Sequence, residues 1–157
     1  MHEMPRPNER HERLHRLAGT WVGEEILSPS PLGPGGGALG RVLSRLDVDG
    51  FFLIQDYIEE RDGAVVYRGH GIIGWDETGQ RYGWFWVDSM GTLPAAPAWG
   101  HWSDDSTLTF EHAPVADQRS RYTYHLVDGQ TLRFKIEISR DSGHTYATFL
   151  EGRYRRV

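Results

Sequence analysis

Hydrophobic and polar residues alternate along most of this chain, and helical periodicity is confined to its start. Asn8 can cap a short helix whose first turns hold Glu9 and Glu12, where carboxylates suit the helix dipole. Leu14 and Leu17 lie three apart and give a narrow apolar stripe, and Gly19 ends the helix as a C-terminal cap. From Thr20 onward the alternation predicts ten strands: Thr20–Leu27, Leu39–Val48, Phe51–Glu60, Val65–Trp75, Tyr82–Met90, Ala98–Trp102, Leu108–His112, Tyr122–Val127, Leu132–Ser139 and Tyr146–Arg155. Two stretches break the pattern. Ser28–Gly37 holds three Pro and four Gly, and Gly91–Pro97 holds two Pro, so both read as loops.

The connections are short, which favours antiparallel neighbours. Asp62-Gly63 and Asp128-Gly129 are hairpin signals, because glycine accepts the positive φ such turns need. Ten strands joined in a meander close most simply into a barrel, since closure removes exposed edges. The expected fold is therefore all-β: a single antiparallel barrel over residues 8–157, after a polar tail of residues 1–7.

Register decides which side chains enter the barrel. At Asp62-Gly63 a two-residue turn sets Gln55 opposite His70 and Tyr57 opposite Arg68. A three-residue loop sets Ile54 opposite His70 and Asp56 opposite Arg68. A one-residue slip exchanges the faces, so the alternatives stay open here. At Asp128-Gly129 a three-residue loop pairs Tyr124 with Leu132 and Tyr122 with Phe134, all facing inward. Trp84, Trp86 and Asp88 alternate and share one face of their strand.

Composition narrows the classes. Of 157 residues, 38% are hydrophobic and 25% charged, as in an ordinary globular protein. The net charge of −5 argues against nucleic acid as a partner, because phosphate binding needs a basic surface. There is no Cys, which excludes disulfides, thiolate catalysis and Cys-ligated zinc. No apolar run approaches the roughly 18 residues that span a bilayer, and residues 1–16 lack the apolar stretch of a signal peptide. The expectation is a cytoplasmic protein with no membrane partner.

Gly19-Thr20-Trp21, following a short helix and opening the first strand, resembles the Gly-x-Trp signature of lipocalins and related calycins. Further segments extend the likeness: Leu14-His15-Arg16-Leu17, Asp49-Gly50-Phe51-Phe52, Gly69-His70-Gly71 through Gly74-Trp75-Asp76, Trp86-Val87-Asp88-Ser89-Met90 and Glu151-Gly152-Arg153-Tyr154-Arg155. Together they resemble an uncharacterised bacterial family of lipocalin-like single-domain proteins of unknown function, and more distantly the nitrobindins. The resemblance implies a barrel whose end is plugged by Trp21 beneath an Arg from near the last strand, Arg153 or Arg155. It implies little about activity, because fold does not fix function.

Two formal motifs lack the context their chemistry needs. His11-Glu12-Arg13-Leu14-His15 matches a zinc-protease pattern, but only ten residues precede it and no third ligand follows on a second helix, so no metal site is expected. Gly69-His70-Gly71-Ile72-Ile73-Gly74 matches a dinucleotide fingerprint but lies inside a strand pattern with no helix after it. Its glycines read instead as room for bulky cross-strand neighbours. Glu24-Glu25 and Glu59-Glu60 point to opposite strand faces and make no dyad by adjacency.

The leading expectation is a binding protein for a small, mostly apolar molecule. Trp84, Trp86, Tyr122 and Tyr124 would hold it, and Asp88, Arg68, His70 or His101 would orient it. The loops Ser28–Gly37 and Gly91–Pro97 would flank the mouth. No cofactor is expected on this reading. The alternatives are a nitrobindin-like haem barrel with an axial His such as His101, His125 or His144, an acid–base enzyme pairing Asp88 with His70 or His101, and a homodimeric interaction module using exposed aromatic strand faces.

Overall fold

The computed structural model describes residues 2–31 and 33–157; Met1 of the predicted tail and Leu32 of the predicted first loop lie outside the described residues. Helix α1 spans Glu9–Arg13 and tightens into a 3-10 turn at Leu14–Leu17. Ten strands follow: β1 Gly19–Leu27, β2 Gly36–Asp47, β3 Phe52–Arg61, β4 Ala64–Asp76, β5 Arg81–Asp88, β6 Ala98–Trp102, β7 Thr107–Glu111, β8 Arg119–Leu126, β9 Thr131–Ser139 and β10 Ala147–Arg156. Each pairs antiparallel with its chain neighbour, and β1 pairs with β10 to close the barrel. No helix among the described residues is long and apolar enough to cross a membrane.

The helix forms where its cap allows. The Asn8 side chain accepts from the Arg10 N–H at 2.9 Å, and the Asn8 N–H donates to His11 Nδ1 at 3.0 Å. His11 is thereby committed to the capping box and stands edge-on to Phe51, whereas His15 is exposed. The switch to 3-10 geometry after Arg13 takes the two histidines off a common helical face. Gly19 does not cap the helix. Ala18 does, and Gly19 opens β1 at φ 134°, where a Cβ would meet the Arg156 guanidinium.

The helix lies across one end of the barrel. Leu14, Leu17 and Trp21 are at most 1% exposed, and the Trp21 indole donates to the Leu17 carbonyl at 3.0 Å. The arginine over Trp21 is Arg156, 4.3 Å from the ring centroid, not Arg153 or Arg155. The inward positions of β10 are Leu150, Gly152 and Tyr154, and Arg156 stands directly opposite Trp21, so Arg153 and Arg155 fall on the outer face. Arg156 also donates to the carbonyls of Ala18, Gly129 and Arg16, tying the helix to the strand ends. Arg10 over Trp75 and Arg13 over Trp102 add two further cation–π contacts at this end.

Both hairpins adopt registers other than those expected. After the Asp62-Gly63 turn, Arg61 pairs with Ala64 and Glu60 with Val65, but a bulge then sets Glu59 opposite Tyr67. The extra residue makes Asp56 face His70 and Ile58 face Arg68. At the other hairpin, Tyr124 pairs with Phe134 and Tyr122 with Ile136, a two-residue shift that preserves the inward faces. Gly36 and Gly37 pair with Leu27 and Ile26, so the first loop is shorter than predicted.

Candidate functional site

The barrel is packed at the helix end and hollow toward the other. The hollow is a cavity of about 630 Å³, within the range of small-molecule sites. Its floor is Trp84, 5% exposed, whose ring meets Phe110, Tyr122 and Tyr124 at centroid separations of 5.4, 5.2 and 5.9 Å. Trp86 stands one step nearer the mouth, half-buried, 5.7 Å from Trp84 and 5.9 Å from Tyr57.

The glycines of β4 make this arrangement possible. A Cβ on Gly69 would overlap the Trp86 ring, and one on Gly71 would overlap Gln55 Oε1 and lie 2.8 Å from Trp84 Nε1. The glycine pattern therefore serves the tryptophans of the neighbouring strand. On the outer face, a Cβ on Gly74 would similarly meet Phe52.

Of the side chains anticipated for the site, Trp84, Trp86, Asp88, Tyr122 and Tyr124 line the cavity together. Arg68, His70 and His101 do not. They are exposed on the outer wall, the first two because the bulge puts Tyr67, Gly69 and Gly71 inside instead. His70 meets Asp56 at 2.6 Å outside the barrel, so neither it nor His101 can pair with Asp88. His125 contacts Thr107 Oγ1 at 3.1 Å and His144 is exposed. Among the described lining residues the one histidine is His112, half-buried beside Tyr122, with burial lowering its pKa. The first loop borders the mouth through Ser30, Gly33, Pro34 and Gly35, whereas residues 91–97 contribute no described lining side chain.

The polar part of the cavity is the part the sequence reading missed. Glu25 is 1% exposed and accepts hydrogen bonds from the Tyr57 hydroxyl, with both oxygens at 2.7 Å. Burial pushes its carboxyl from an ordinary 4.5 to about 7, against the opposing hydrogen bonds from Tyr57 and Tyr154. Burial also raises the pKa values of Tyr57, Tyr67 and Tyr154, so these hydroxyls remain donors. Glu59, 6% exposed, accepts from Arg61 at 3.0 Å. Asp88 accepts from the Tyr67 hydroxyl at 2.6 Å and the Trp86 indole at 3.1 Å. Gln55 Nε2 donates to the Tyr124 hydroxyl at 3.1 Å, while Gln55 Oε1 and Trp84 Nε1 are buried without a partner. One signal was available for Glu25: it lies four residues after Trp21 on the same strand, hence on the same inward face.

Comparison with known proteins agrees with this architecture. Among solved structures, Rv2717c from M. tuberculosis superimposes with a TM-score of 0.69 at 17% identity, covering 96% of this chain and 98% of that one. The S-type phycobiliprotein lyase CPES from Guillardia theta gives 0.64 at 9% identity over 94% and 92%. A protein of unknown function from the DUF3598 family of Nostoc punctiforme PCC 73102 gives 0.60 at 13% identity, with 99% of this chain covering 51% of that one. At these identities the likeness shows the fold alone. No curated protein matches the sequence. Residues 6–156 match the family model described as "Protein of unknown function (DUF1579)", and the chain belongs to that family.

Proposed function

We propose that this protein binds a small, mostly apolar molecule inside the barrel. The observation that carries the reading is the 630 Å³ cavity walled by Trp84, Trp86, Tyr122, Tyr124 and Phe134, with a few polar groups at defined positions. Titration with the neutral fluorophore N-phenyl-1-naphthylamine tests it. Binding is expected, and Trp86→Ala is expected to weaken it by about tenfold or more, because an aromatic anchor in a desolvated pocket carries much of a ligand's affinity. Because Trp86 is half-buried, the variant keeps a cooperative unfolding transition. Equal binding by the variant would remove the cavity from consideration.

Haem fits less well. Its propionates would enter a wall that already carries Glu25, Glu59 and Asp88, and the one described histidine on the wall is His112. A Soret band on adding haemin that vanishes in His112→Ala would reverse this judgement.

The outer wall favours a second reading, self-association. Leu43, Phe52, Ile72, Phe85 and Val87 are each 36–45% exposed on neighbouring strands β2–β5. Among them Arg45 pairs with Asp56 at 3.1 Å, and the His70 ring meets the same carboxylate at 2.6 Å. A second copy packed there would bury an apolar face without orphaning a charge. Sedimentation is expected to show a dimer that Phe85→Arg converts to monomer; a wild-type monomer at all concentrations would end this reading.

A further inference from the structure

The charges on the cavity wall are unbalanced. Among the described lining residues Glu25, Glu59 and Asp88 are acidic and Arg61 alone is Arg or Lys. Arg61 is engaged by Glu59 at 3.0 Å and by the Gly35 carbonyl at 3.3 Å. No basic side chain stands within ion-pair distance of Glu25 or Asp88 among the described residues. Both depend on neutral donors instead, Tyr57 and Tyr154 for Glu25, and Tyr67, Trp86 and the Met90 N–H for Asp88. Holding carboxyl groups on an apolar wall with too few cations is costly; Glu25 relieves part of that cost by keeping its proton to higher pH, and a bound cation would relieve more.

The same donors form an aromatic cluster. The Tyr57 ring lies 5.8 Å from Tyr67 and 5.9 Å from Trp86, edge-on or tilted in both cases, so the three rings form one cluster on the cavity wall. Glu25 holds one side of the cluster and Asp88 the other through those hydrogen bonds. Deeper in, Gln55 is 2% exposed and shares the inner face of β3 with Tyr57 and Glu59. Its Oε1 is an acceptor with no donor, which extends the electronegative wall toward the floor. The carboxylates do not converge into a metal-binding group among the described residues. Aromatic faces flanked by carboxylates attract an organic ammonium group, through cation–π contact and charge together.

We infer that the cavity selects a protonated amine carried on a small apolar or aromatic skeleton, its ammonium held in the Tyr57–Tyr67–Trp86 cluster between Glu25 and Asp88. This rests on the cavity-binding reading above and names the ligand class. An ammonium head supplies the cation that Glu25 and Asp88 lack, and its N–H groups are the kind of donor that Gln55 Oε1 lacks. The skeleton then lies against Trp84, Tyr122 and Phe134.

The test uses three probes of one shape: 1-naphthylmethylamine, 1-naphthalenemethanol and 1-naphthoate, titrated calorimetrically into the whole chain near neutral pH. The amine is expected to bind about tenfold more tightly than the alcohol, with the carboxylate weakest, the size of a desolvated cation–π and charge contribution. In Asp88→Asn and Glu25→Gln the amine is expected to lose more affinity than the alcohol, so that its advantage shrinks to about threefold or less. If the alcohol binds as well as the amine, and Trp86→Ala weakens both, the ammonium inference is wrong and the cavity reading stands. If none of the three binds, both are wrong. The three-probe ranking in the wild-type chain decides the matter even should a variant fail to fold.

Discussion

The two ends of this barrel are built from the same alternating strands and have opposite interiors. At the helix end Leu14, Leu17, Trp21, Leu53, Ile73, Leu108 and Phe110 are at most 1% exposed and close the interior with apolar side chains. At the other end the inward positions carry Glu25, Tyr57, Glu59, Tyr67 and Asp88, and the interior stays open. The helix accounts for much of the difference. Leu14 and Leu17 fill one mouth, and the arginines Arg10, Arg13 and Arg156 hold the lid by stacking on Trp75, Trp102 and Trp21. Among the described residues no helix covers the other mouth, and most of its polar residues satisfy one another around a cavity. An antiparallel barrel is thus a neutral frame, and what caps each end decides whether that end is core or site.

The contrast can be broken from its packed side with the largest effect. Trp21→Ala removes a side chain of zero exposure from beneath the lid and is expected to cost about 3–5 kcal/mol in denaturant unfolding. An effect below about 1 kcal/mol would mean that the helix end is not the stability core.

Next in size is the contribution of Glu25 at the hollow end. Its folded carboxyl titrates at about 7 against an ordinary 4.5, so the folded state holds its proton to higher pH than the unfolded chain. Stability is therefore expected to fall as pH rises from 4.5 to 7 and to level off above, by up to about 3 kcal/mol from this group. Tyr57, Tyr154, Glu59 and Arg61 act on the same carboxyl, so the clean measurement is the difference between wild type and Glu25→Gln across that window. Parallel pH–stability curves for the two proteins would show that Glu25 is not perturbed.

A subtler change sharpens the boundary between the two ends. Gly69→Ala puts a methyl group into the Trp86 ring and must tilt the indole toward the cavity. A stability loss of about 1–3 kcal/mol is expected, together with weaker N-phenyl-1-naphthylamine binding. Unaltered binding would mean that the ring's position does not shape the site.

Much of the fold was legible because a barrel is written in local patterns. Alternation located all ten strands within a few residues, the Asn8 cap located the helix, and Trp84, Trp86 and Asp88 fell on one face as expected. Less of the site was legible. A bulge near Asp62-Gly63 reversed which residues of β4 enter the barrel, expelling Arg68 and His70 and admitting Tyr67. Bulges cost one residue and leave little trace in composition, so turn chemistry alone cannot count them. Glu25 and Glu59 were set aside as neighbours of other carboxylates, although their inward phase was available from strand alternation.

The sequence by itself determined the architecture, because two-residue periodicity and turn residues act over a few positions and closing a ten-strand antiparallel meander is the simplest way to remove its exposed edges. Only the tertiary structure decided what the interior is. Strand register, the bulge in β4 and the pairing of β1 with β10 bring Glu25, Tyr57, Tyr67 and Asp88 to one space from four strands. That meeting depends on distances between residues far apart in the chain, which no local pattern encodes.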